Sequence, residues 1–277
     1  MPESALDPPL SVAARTLRVE EPVRRYVELT LHAPEIARLA RPGQFVMIRA
    51  WPGADPFLPR PFDLMQADPD GGTIVLFVKV EGRGTTLLSV LEPGMAVQCT
   101  GPLGRPVELP GEGPLALLVR GAGAAAVVML AAAAARRGLP VYTFLSASTA
   151  GRLVCRRYLE PASTELQVAT DDGSLGYHGN ATDLLDRLLE GEQWRLGSGG
   201  GSGPVGRVYT CGSRRFARHV AALDAAGRVR GFVFLEGLMA CGLGDCHGCA
   251  VKKASEPGYY LVCQDGPHFP VSQVVLE

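Results

Sequence analysis

The sequence has 277 residues, of which 47% are hydrophobic and 20% are charged, and its formal net charge is −1. This composition predicts folded domains with buried cores, and the near-zero charge gives no reason to expect nucleic acid or an anionic membrane as a partner. No apolar run is long enough to span a membrane, and the first residues lack the pattern of a secretory signal. We therefore expect a cytoplasmic protein, in which clustered cysteines are metal ligands or redox groups rather than disulfides.

The first part of the chain, residues 1–110, has the pattern of a small antiparallel β-barrel. Short runs of alternating or β-branched residues recur in it, namely RRYVELTL, GQFVMIRA, GTIVLFVKV and MAVQCT. Turns that contain Pro and Gly separate these runs, as in RPGQ, WPGADP and EPGM. Strands of this length and spacing are typical of small barrels.

Residues 111–235 instead alternate between strand-like apolar runs and helix-forming segments. The strand candidates are LALLV, PVYTFLSAS, ELQVAT, RVYTC and GFVFLE. Between them we predict an alanine-rich helix that ends at Gly138, a second helix capped by Asn180 or Thr182, and a third in RRFARHVAALDAAG. This alternation predicts a doubly wound α/β domain of the nucleotide-binding type. The run GSGGGSG at 197–203 is interpreted as a flexible loop.

The last part, residues 236–277, is a tail rich in Gly and Cys with the spacing Cys241-x4-Cys246-x2-Cys249-x13-Cys263. A C-x4-C-x2-C run with a distant fourth cysteine is the ligand pattern of plant-type [2Fe–2S] clusters. Glycines between the ligands let the loop turn sharply and bring backbone N–H groups towards a cluster. The alternatives are a structural zinc site or merely buried thiols, although structural zinc usually takes two C-x2-C pairs and only one is present.

Two segments of the predicted barrel favour a phosphate-bearing cofactor. Arg60 in LPRPFDL could place its planar guanidinium against phosphate oxygens. The turn in KVEGRGTTLL could present backbone N–H groups and a hydroxyl to a pyrophosphate. Taken alone, motifs of this kind are more often a surface charge or an ordinary turn than a phosphate site.

The order of these motifs resembles the ferredoxin–NAD(P) reductase superfamily: RPF, then GRGT, then GPLG, then a Gly-rich turn between a strand and a helix. With TDDGSLGYHGNATDLL and the cysteine tail included, the chain resembles in particular the electron-transfer subunits of class 1B dihydroorotate dehydrogenase, over about residues 12–270. The resemblance implies an FAD-binding barrel over 1–110, an NAD-binding-type α/β domain over 111–235 and a small C-terminal [2Fe–2S] module over 236–277.

The resemblance also implies a set of cofactor contacts, and it assigns no catalytic residue. The residues expected at FAD are Arg60, Pro61, Phe62, Asp63, Lys79, Val80, Gly82, Gly84, Thr85 and Thr86. The residues expected at NAD are Gly121, Gly123 and Cys211, and the cluster ligands would be Cys241, Cys246, Cys249 and Cys263.

Two departures from the family pattern affect these expectations. Asp63 stands where the family has Ser or Thr, and an ionised carboxylate can only accept a hydrogen bond. We expect Asp63 either to point away from the flavin or to shift its potential. In the Gly-rich turn GAGAAAVV, Ala122 and Ala125 replace glycines, which binding would tolerate if φ stays negative. The alternatives are a nucleotide fold kept only as a scaffold and, for Cys211, a small buried thiol.

The sequence thus predicts an oxidoreductase electron-transfer subunit that relays electrons between NAD(H), FAD, a [2Fe–2S] cluster and a partner. The resemblance implies that this partner is an FMN-containing catalytic subunit, present in two copies beside two of this chain. It would oxidise dihydroorotate in pyrimidine biosynthesis, which this chain is not expected to do alone. One alternative is a reductase subunit of a hydrogenase, sulfite reductase or ferredoxin-linked complex. Another is a zinc-stabilised, non-redox interaction module.

Overall fold

A computed structural model describes residues 8–191 and 206–276, so the GSGGGSG run lies outside the described residues. Contacts between residues divide the chain into two compact units. Unit 1 consists of Met1–Val107, Glu236–Ala250 and Leu261–Pro267, and unit 2 consists of Glu108–Leu235, Val251–Tyr260 and His268–Glu277. The cysteine-bearing segments are thus grouped with the barrel, and the division into three domains remains a prediction about independently folding parts.

Unit 1 contains the predicted antiparallel barrel, which six strands close in the order β1-β2-β5-β4-β3-β6. The strands are β1 Leu10–Val23, β2 Tyr26–His32, β3 Phe45–Arg49, β4 Arg60–Asp68, β5 Thr73–Lys79 and β6 Ala96–Leu103. Two short helices, α1 Pro34–Leu39 and α2 Arg83–Ser89, follow β2 and β5. The interior is aliphatic, with Leu29, Ile48 and Leu76 inaccessible to solvent, as the alternating runs of the sequence require.

Unit 2 contains a seven-stranded sheet in the order β10-β9-β8-β7-β11-β12-β15. Its strands are β7 Leu115–Arg120, β8 Val141–Ala147, β9 Glu165–Thr170, β10 Tyr177–His178, β11 Arg207–Cys211, β12 Arg230–Phe234 and β15 His268–Pro270. All neighbours pair in parallel except β12 and β15. The chain order reverses between β7 and β11, which is the switch point of a doubly wound sheet and the place where such folds bind ligands.

The helices of unit 2 are α3 Ala125–Arg136, α4 Arg156–Leu159, α5 Ala181–Glu190 and α6 Arg214–Ala225. Helix α3 ends before Gly138, whose φ of +71° confirms the predicted glycine stop. Asn180, rather than Thr182, is the N-cap of α5, since its side chain accepts a hydrogen bond from the Thr182 N–H. These elements confirm the doubly wound domain predicted from the alternation of strands and helices.

The C-terminal part contains more regular structure than the sequence pattern predicts. A two-stranded hairpin, β13 Ala250–Lys252 and β14 Tyr259–Leu261, is followed by the short helix α7 Val262–Asp265 and by β15. Each of these elements has only three or four residues, too few to show a period of 2 or 3.6. Within the described residues, no helix is long and apolar enough to cross a membrane.

Candidate functional site

Three of the cysteines lie in a loop that packs directly on the barrel of unit 1. Gly242 and Gly244 have φ of +74° and +90°, which residues with a Cβ rarely adopt. A Cβ added to Gly242 would lie 2.6 Å from Met47 Cγ and 3.1 Å from Leu103 Cδ1, both on barrel strands. Glycine is therefore required both for the turn and for the close approach of the loop to β3 and β6.

The fourth cysteine comes from a separate segment that packs beside this loop. Cys263 is in the single-turn helix α7, and the preceding Val262 N–H donates to the carbonyl of Cys249 at 3.2 Å. A Cβ added to Gly104, the last residue of GPLG, would lie 2.8 Å from the carbonyl oxygen of Gly266. Both cysteine segments thus rest on the barrel, where the predicted ligands lie in two pairs, Cys241 with Cys246 and Cys249 with Cys263.

The four sulfurs form two close pairs. The Sγ atoms of Cys241 and Cys246 are 3.3 Å apart, and those of Cys249 and Cys263 are also 3.3 Å apart. Two thiolates bound to one tetrahedral metal with bonds of about 2.3 Å lie about 3.8 Å apart, so each pair needs only a small opening to bind one metal. Among the described residues, no three His, Cys, Asp or Glu side chains converge as a single ion requires. Two close pairs of thiols are the arrangement in which each iron of a two-iron cluster takes two cysteine ligands.

Backbone N–H groups also point at two of these sulfurs. The N–H of Leu243 lies 3.3 Å from the Sγ of Cys241, and that of Gly248 lies 3.5 Å from the Sγ of Cys246. Hydrogen bonds to the ligand sulfurs help to set the potential of an iron–sulfur cluster. The glycine-rich loop was predicted to bring backbone N–H groups towards a cluster. Two of them lie within reach of the sulfurs of the predicted ligands Cys241 and Cys246.

The residues predicted to bind FAD meet at one end of the barrel. Strands β4 and β5 are antiparallel neighbours with Leu64 opposite Leu76, so the start of β4 and the end of β5 lie side by side. The first four residues of β4 and the last of β5 are on this end, and α2 begins four residues after β5. The structure therefore brings these segments together: Arg60, Pro61, Phe62, Asp63, Lys79, Val80, Gly82, Gly84, Thr85 and Thr86.

Arg60 has hydrogen-bonding capacity left for an anion. Its Nη1 donates to the carbonyls of Leu58 and Pro59 at 2.5 and 3.2 Å. Within the described part of the chain, Nη2 and Nε have no partner and no carboxylate pairs with the guanidinium. A half-buried cation without a counter-charge fits the phosphate of a dinucleotide.

Other predicted FAD residues shape this end of the barrel through local bonds. The hydroxyls of Thr85 and Thr86 donate to the carbonyl of Gly82 at 2.9 and 3.0 Å, so both hold the turn before α2. Lys79 pairs with Glu81. The backbone N–H of Val80 donates to the carbonyl of Arg25, in the turn between β1 and β2, at 2.8 Å. These contacts fix the backbone that a pyrophosphate would approach.

Asp63 is the unusual residue of this group. It is half-buried on β4, and no described residue donates a hydrogen bond to its carboxyl group. Burial raises the pKa of Asp63 from 3.8 to about 7, and the charge of Glu236 at the start of the cysteine segment adds to this rise. Near neutral pH the carboxyl group therefore exists in both protonation states, so it can donate as well as accept a hydrogen bond.

The predicted nucleotide residues of unit 2 meet at the switch point of its sheet. Gly121 has a φ of +54° and opens the 3₁₀ turn after β7. A Cβ on Gly123 would lie 2.6 Å from the backbone nitrogen of Gly212, the residue after Cys211. Gly123 therefore allows close contact between the two turns that border the site, and Cys211 is buried at the end of β11.

The two alanines in the Gly-rich turn do not strain it. Ala125 has a φ of −63° at the start of α3, and Ala122 is not among the residues with positive φ. Both positions therefore accept a Cβ without a backbone penalty. Because φ stays negative at both alanines, the altered turn is still compatible with a bound nucleotide.

An ion pair at the carboxyl edge of the sheet was not predicted from the sequence. Arg120, at the end of β7, binds Asp171 after β9 through two contacts of 2.5 and 3.1 Å and also donates to the hydroxyl of Ser146 on β8. Arg120 holds the pKa of Asp171 below its usual value. Their positions in the sequence could have indicated this contact. Each of these polar residues lies at or just after the end of a buried parallel strand, and the carboxyl ends of such strands meet at one edge of the sheet.

Comparisons with known proteins agree with this architecture. Residues 236–275 match the family model described as the iron–sulfur cluster binding domain of dihydroorotate dehydrogenase B. The dihydroorotate dehydrogenase B (NAD(+)) electron transfer subunit of Desulforamulus reducens is 36% identical over 88% of this chain and 90% of its own length. The subunit of the same name from Geobacillus thermodenitrificans is 36% identical over 91% and 93%.

Solved structures are similar over most of the chain. One, from a study of flavin-based electron bifurcation by an NADH-dependent reduced ferredoxin–NADP oxidoreductase, has a TM-score of 0.82 and 26% identity, covering 100% of this chain and 92% of its own. A ferredoxin NADP+ reductase from Neisseria gonorrhoeae has a TM-score of 0.62 over 78% and 91% of the two chains. At 17% identity, this second likeness supports the fold alone.

The paired sulfurs predict two irons per chain. The iron-reconstituted protein should contain two irons and two acid-labile sulfides, because each sulfur pair takes one iron. Replacing Cys263→Ala should abolish the visible cluster absorbance, whereas Cys99→Ala, which removes a buried thiol of the barrel, should retain it. Metal analysis that finds one zinc and no iron in protein purified anaerobically would contradict this assignment.

The raised pKa of Asp63 predicts a pH-dependent stability of the FAD-free protein. Because the folded-state pKa lies above the unfolded value, the unfolded chain releases this proton first, and stability falls as pH rises from about 4 to about 7. Asp63→Asn should therefore raise the melting temperature by a few degrees at pH 8 and leave it unchanged at pH 4. Glu236→Gln should have a smaller effect, since burial is the larger cause. An equal effect of Asp63→Asn at both pH values would disprove the shift.

Proposed function

We propose, from the premise that the chain belongs to the family of dihydroorotate dehydrogenase B electron transfer subunits, that it relays electrons between NAD(H) and a catalytic partner subunit. The observation that carries this proposal is the packing of two sulfur pairs against the barrel whose end gathers the predicted FAD residues. The residues for two redox groups therefore belong to one compact unit.

The relay needs two prosthetic groups of different electron capacity. When bound, FAD accepts the two electrons of a hydride together and releases them singly, and a [2Fe–2S] cluster carries one electron at a time. Arg60 would bind a phosphate of FAD, with Gly82 and Gly84 providing backbone that a pyrophosphate can approach closely. Pro61, Phe62 and Asp63 would lie along the isoalloxazine, beside Lys79 and Val80.

The cysteine segments would hold the cluster and set its surroundings. Each close sulfur pair would bind one iron, and the N–H groups of Leu243 and Gly248 would donate to ligand sulfurs. Cys246 and Leu243 are exposed, so electrons have a short path out of the protein at this surface. This surface is the proposed contact with the catalytic partner.

The nucleotide half would bind NAD(H) at the switch point, with Gly121 and Gly123 next to the pyrophosphate and Cys211 facing the nicotinamide. The carboxylate of Asp171 lies at the same edge of the sheet, and Asp172 follows it. Because Arg120 neutralises Asp171, the charge at this edge does not discriminate between NAD and NADP.

The proposed partner is an FMN-containing catalytic subunit, in an assembly with two copies of each chain. It would oxidise dihydroorotate to orotate, and the electrons would pass through the cluster and FAD to NAD. This chain has no second barrel for that chemistry among its described residues, so it would not oxidise dihydroorotate alone. We place the complex in the cytoplasm.

A second candidate function remains within redox chemistry. The similarity to the oxidoreductase of the bifurcation study extends over all of this chain at 26% identity. That observation favours a reductase subunit of a ferredoxin-linked complex as the alternative. The third candidate, a zinc-stabilised interaction module, is disfavoured by the division of the sulfurs into two pairs.

Reconstitution with the partner tests the proposal. The FAD- and iron-loaded chain, combined with its co-expressed catalytic subunit, should reduce NAD when dihydroorotate is added, and each chain alone should not. The Cys263→Ala variant should lose this coupled reaction, because the electrons must pass through the cluster. A complex that lacks this reaction but reduces ferredoxin with NADH would replace the first function with the second.

A further inference from the structure

Trp51 lies in the segment between β3 and β4, which the sequence pattern describes only as a turn. Its side chain is 7% exposed, although the segment around it is open and Phe57 of the same segment is 73% exposed. The indole N–H donates to the carbonyl of Pro56, so the ring is held against its own loop. Trp51 is therefore buried by specific contacts, although most of its loop is exposed to solvent.

The indole contacts the guanidinium of Arg60. The Cζ atom of Arg60 lies 5.8 Å from the centre of the Trp51 ring, within the range of a cation–π interaction. Gly84 closes this contact from α2, since a Cβ built there would lie 3.1 Å from both Arg60 Nε and Trp51 Cη2. The segment between β3 and β4 and the start of α2 therefore both lie against the Arg60 guanidinium.

The contact restrains Arg60 without using its remaining hydrogen bonds. Only Nη1 is bonded, to the carbonyls of Leu58 and Pro59, and the rest of the fork has no partner in the described part of the chain. An aromatic face restrains a guanidinium through its π surface and leaves its N–H edge available. A cation that is held in place before the ligand arrives loses less entropy on binding.

We propose that Trp51 is a positioning residue for the diphosphate of FAD, which acts by holding the Arg60 guanidinium against Gly84 with its free N–H groups available to a phosphate. This inference rests on the proposed role of Arg60 at FAD. The exposed pair of Arg83 with Asp55 also joins this loop to α2, but a solvated ion pair contributes little. The buried indole and the two carbonyl bonds of Nη1 are thus the restraints on the guanidinium.

The test measures FAD dissociation constants by flavin fluorescence, using the full-length, cluster-containing protein after removal of FAD. Trp51→Met keeps an apolar side chain of similar reach but removes the π face, and it should weaken FAD binding about 3- to 30-fold. Trp51→Phe, which keeps an aromatic face towards Arg60, should retain most of the wild-type affinity. Phe57→Leu, which removes an exposed aromatic ring from the same loop, should change the affinity less than about twofold.

A double-mutant cycle separates positioning from a merely structural role. In an Arg60→Gln background, Trp51→Met should have no further effect on FAD affinity, since the group it positions is absent. An equal loss in both backgrounds, or no loss in the wild-type background, would overturn the proposal. If Arg60→Gln itself leaves the affinity unchanged, the proposed phosphate role of Arg60 fails as well, and this result is distinct from the other two.

A second variant tests the same contact if Trp51→Met does not fold. Gly84→Ala places a methyl group against both Arg60 and Trp51 and should displace the guanidinium. It should weaken FAD binding in the wild-type background, and the loss should be smaller in the Arg60→Gln background, where only the approach of the pyrophosphate to this backbone is obstructed. Gly84→Ala protein that binds FAD with unchanged affinity would contradict the proposal.

Discussion

The close contact between the cysteine segments and the barrel is the constraint on which unit 1 depends. Gly242 lies against Met47 with no room for a side chain, and Gly104 lies against the carbonyl of Gly266 in the same way. These two glycine contacts bring both cysteine segments onto the barrel that carries the FAD residues. An electron that passes between two bound groups needs a fixed separation, and a close-packed backbone contact is a stiff way to maintain it.

The same unit explains how the side chains of the FAD end are organised. The Nη2 and Nε donors of Arg60 make no hydrogen bond within the described residues, whereas the hydroxyls of Thr85 and Thr86 donate to the Gly82 carbonyl in the turn before α2. In the proposed FAD site the positive charge and the backbone would therefore face the ligand, while the hydroxyls hold the backbone. Asp63 adds a carboxyl group that titrates near neutral pH at a position where a hydroxyl is usual, and Glu236 links this group electrostatically to the cysteine segment.

The sequence predicted the fold class from period-two runs and strand–helix alternation, and it predicted the family from the order of its motifs. The four-cysteine ligand set remains a prediction, supported by the two close sulfur pairs. The sequence did not predict β15, which is too short to show a period, or the contact of Trp51 with Arg60. Contacts such as Arg120 with Asp171 join residues far apart in the chain and depend on strand order, which no local pattern records. The Gly-rich turn of the predicted NAD site was partly predictable. The sequence located the turn and the helix after it, but only the structure shows that α3 begins at Ala125, which gives this residue a negative φ.

The proposed relay requires that this chain conduct electrons from a nicotinamide nucleotide to its cluster. An anaerobic titration of the FAD-loaded, iron-replete chain with NADH, followed by its visible spectrum, tests that claim most directly. The account predicts that near-stoichiometric NADH bleaches the flavin and the cluster bands, and that Gly123→Ala, which disturbs the contact with Gly212, greatly slows this bleaching. If both bands are present but only dithionite bleaches them, the nucleotide domain is a scaffold and the relay as described here is wrong.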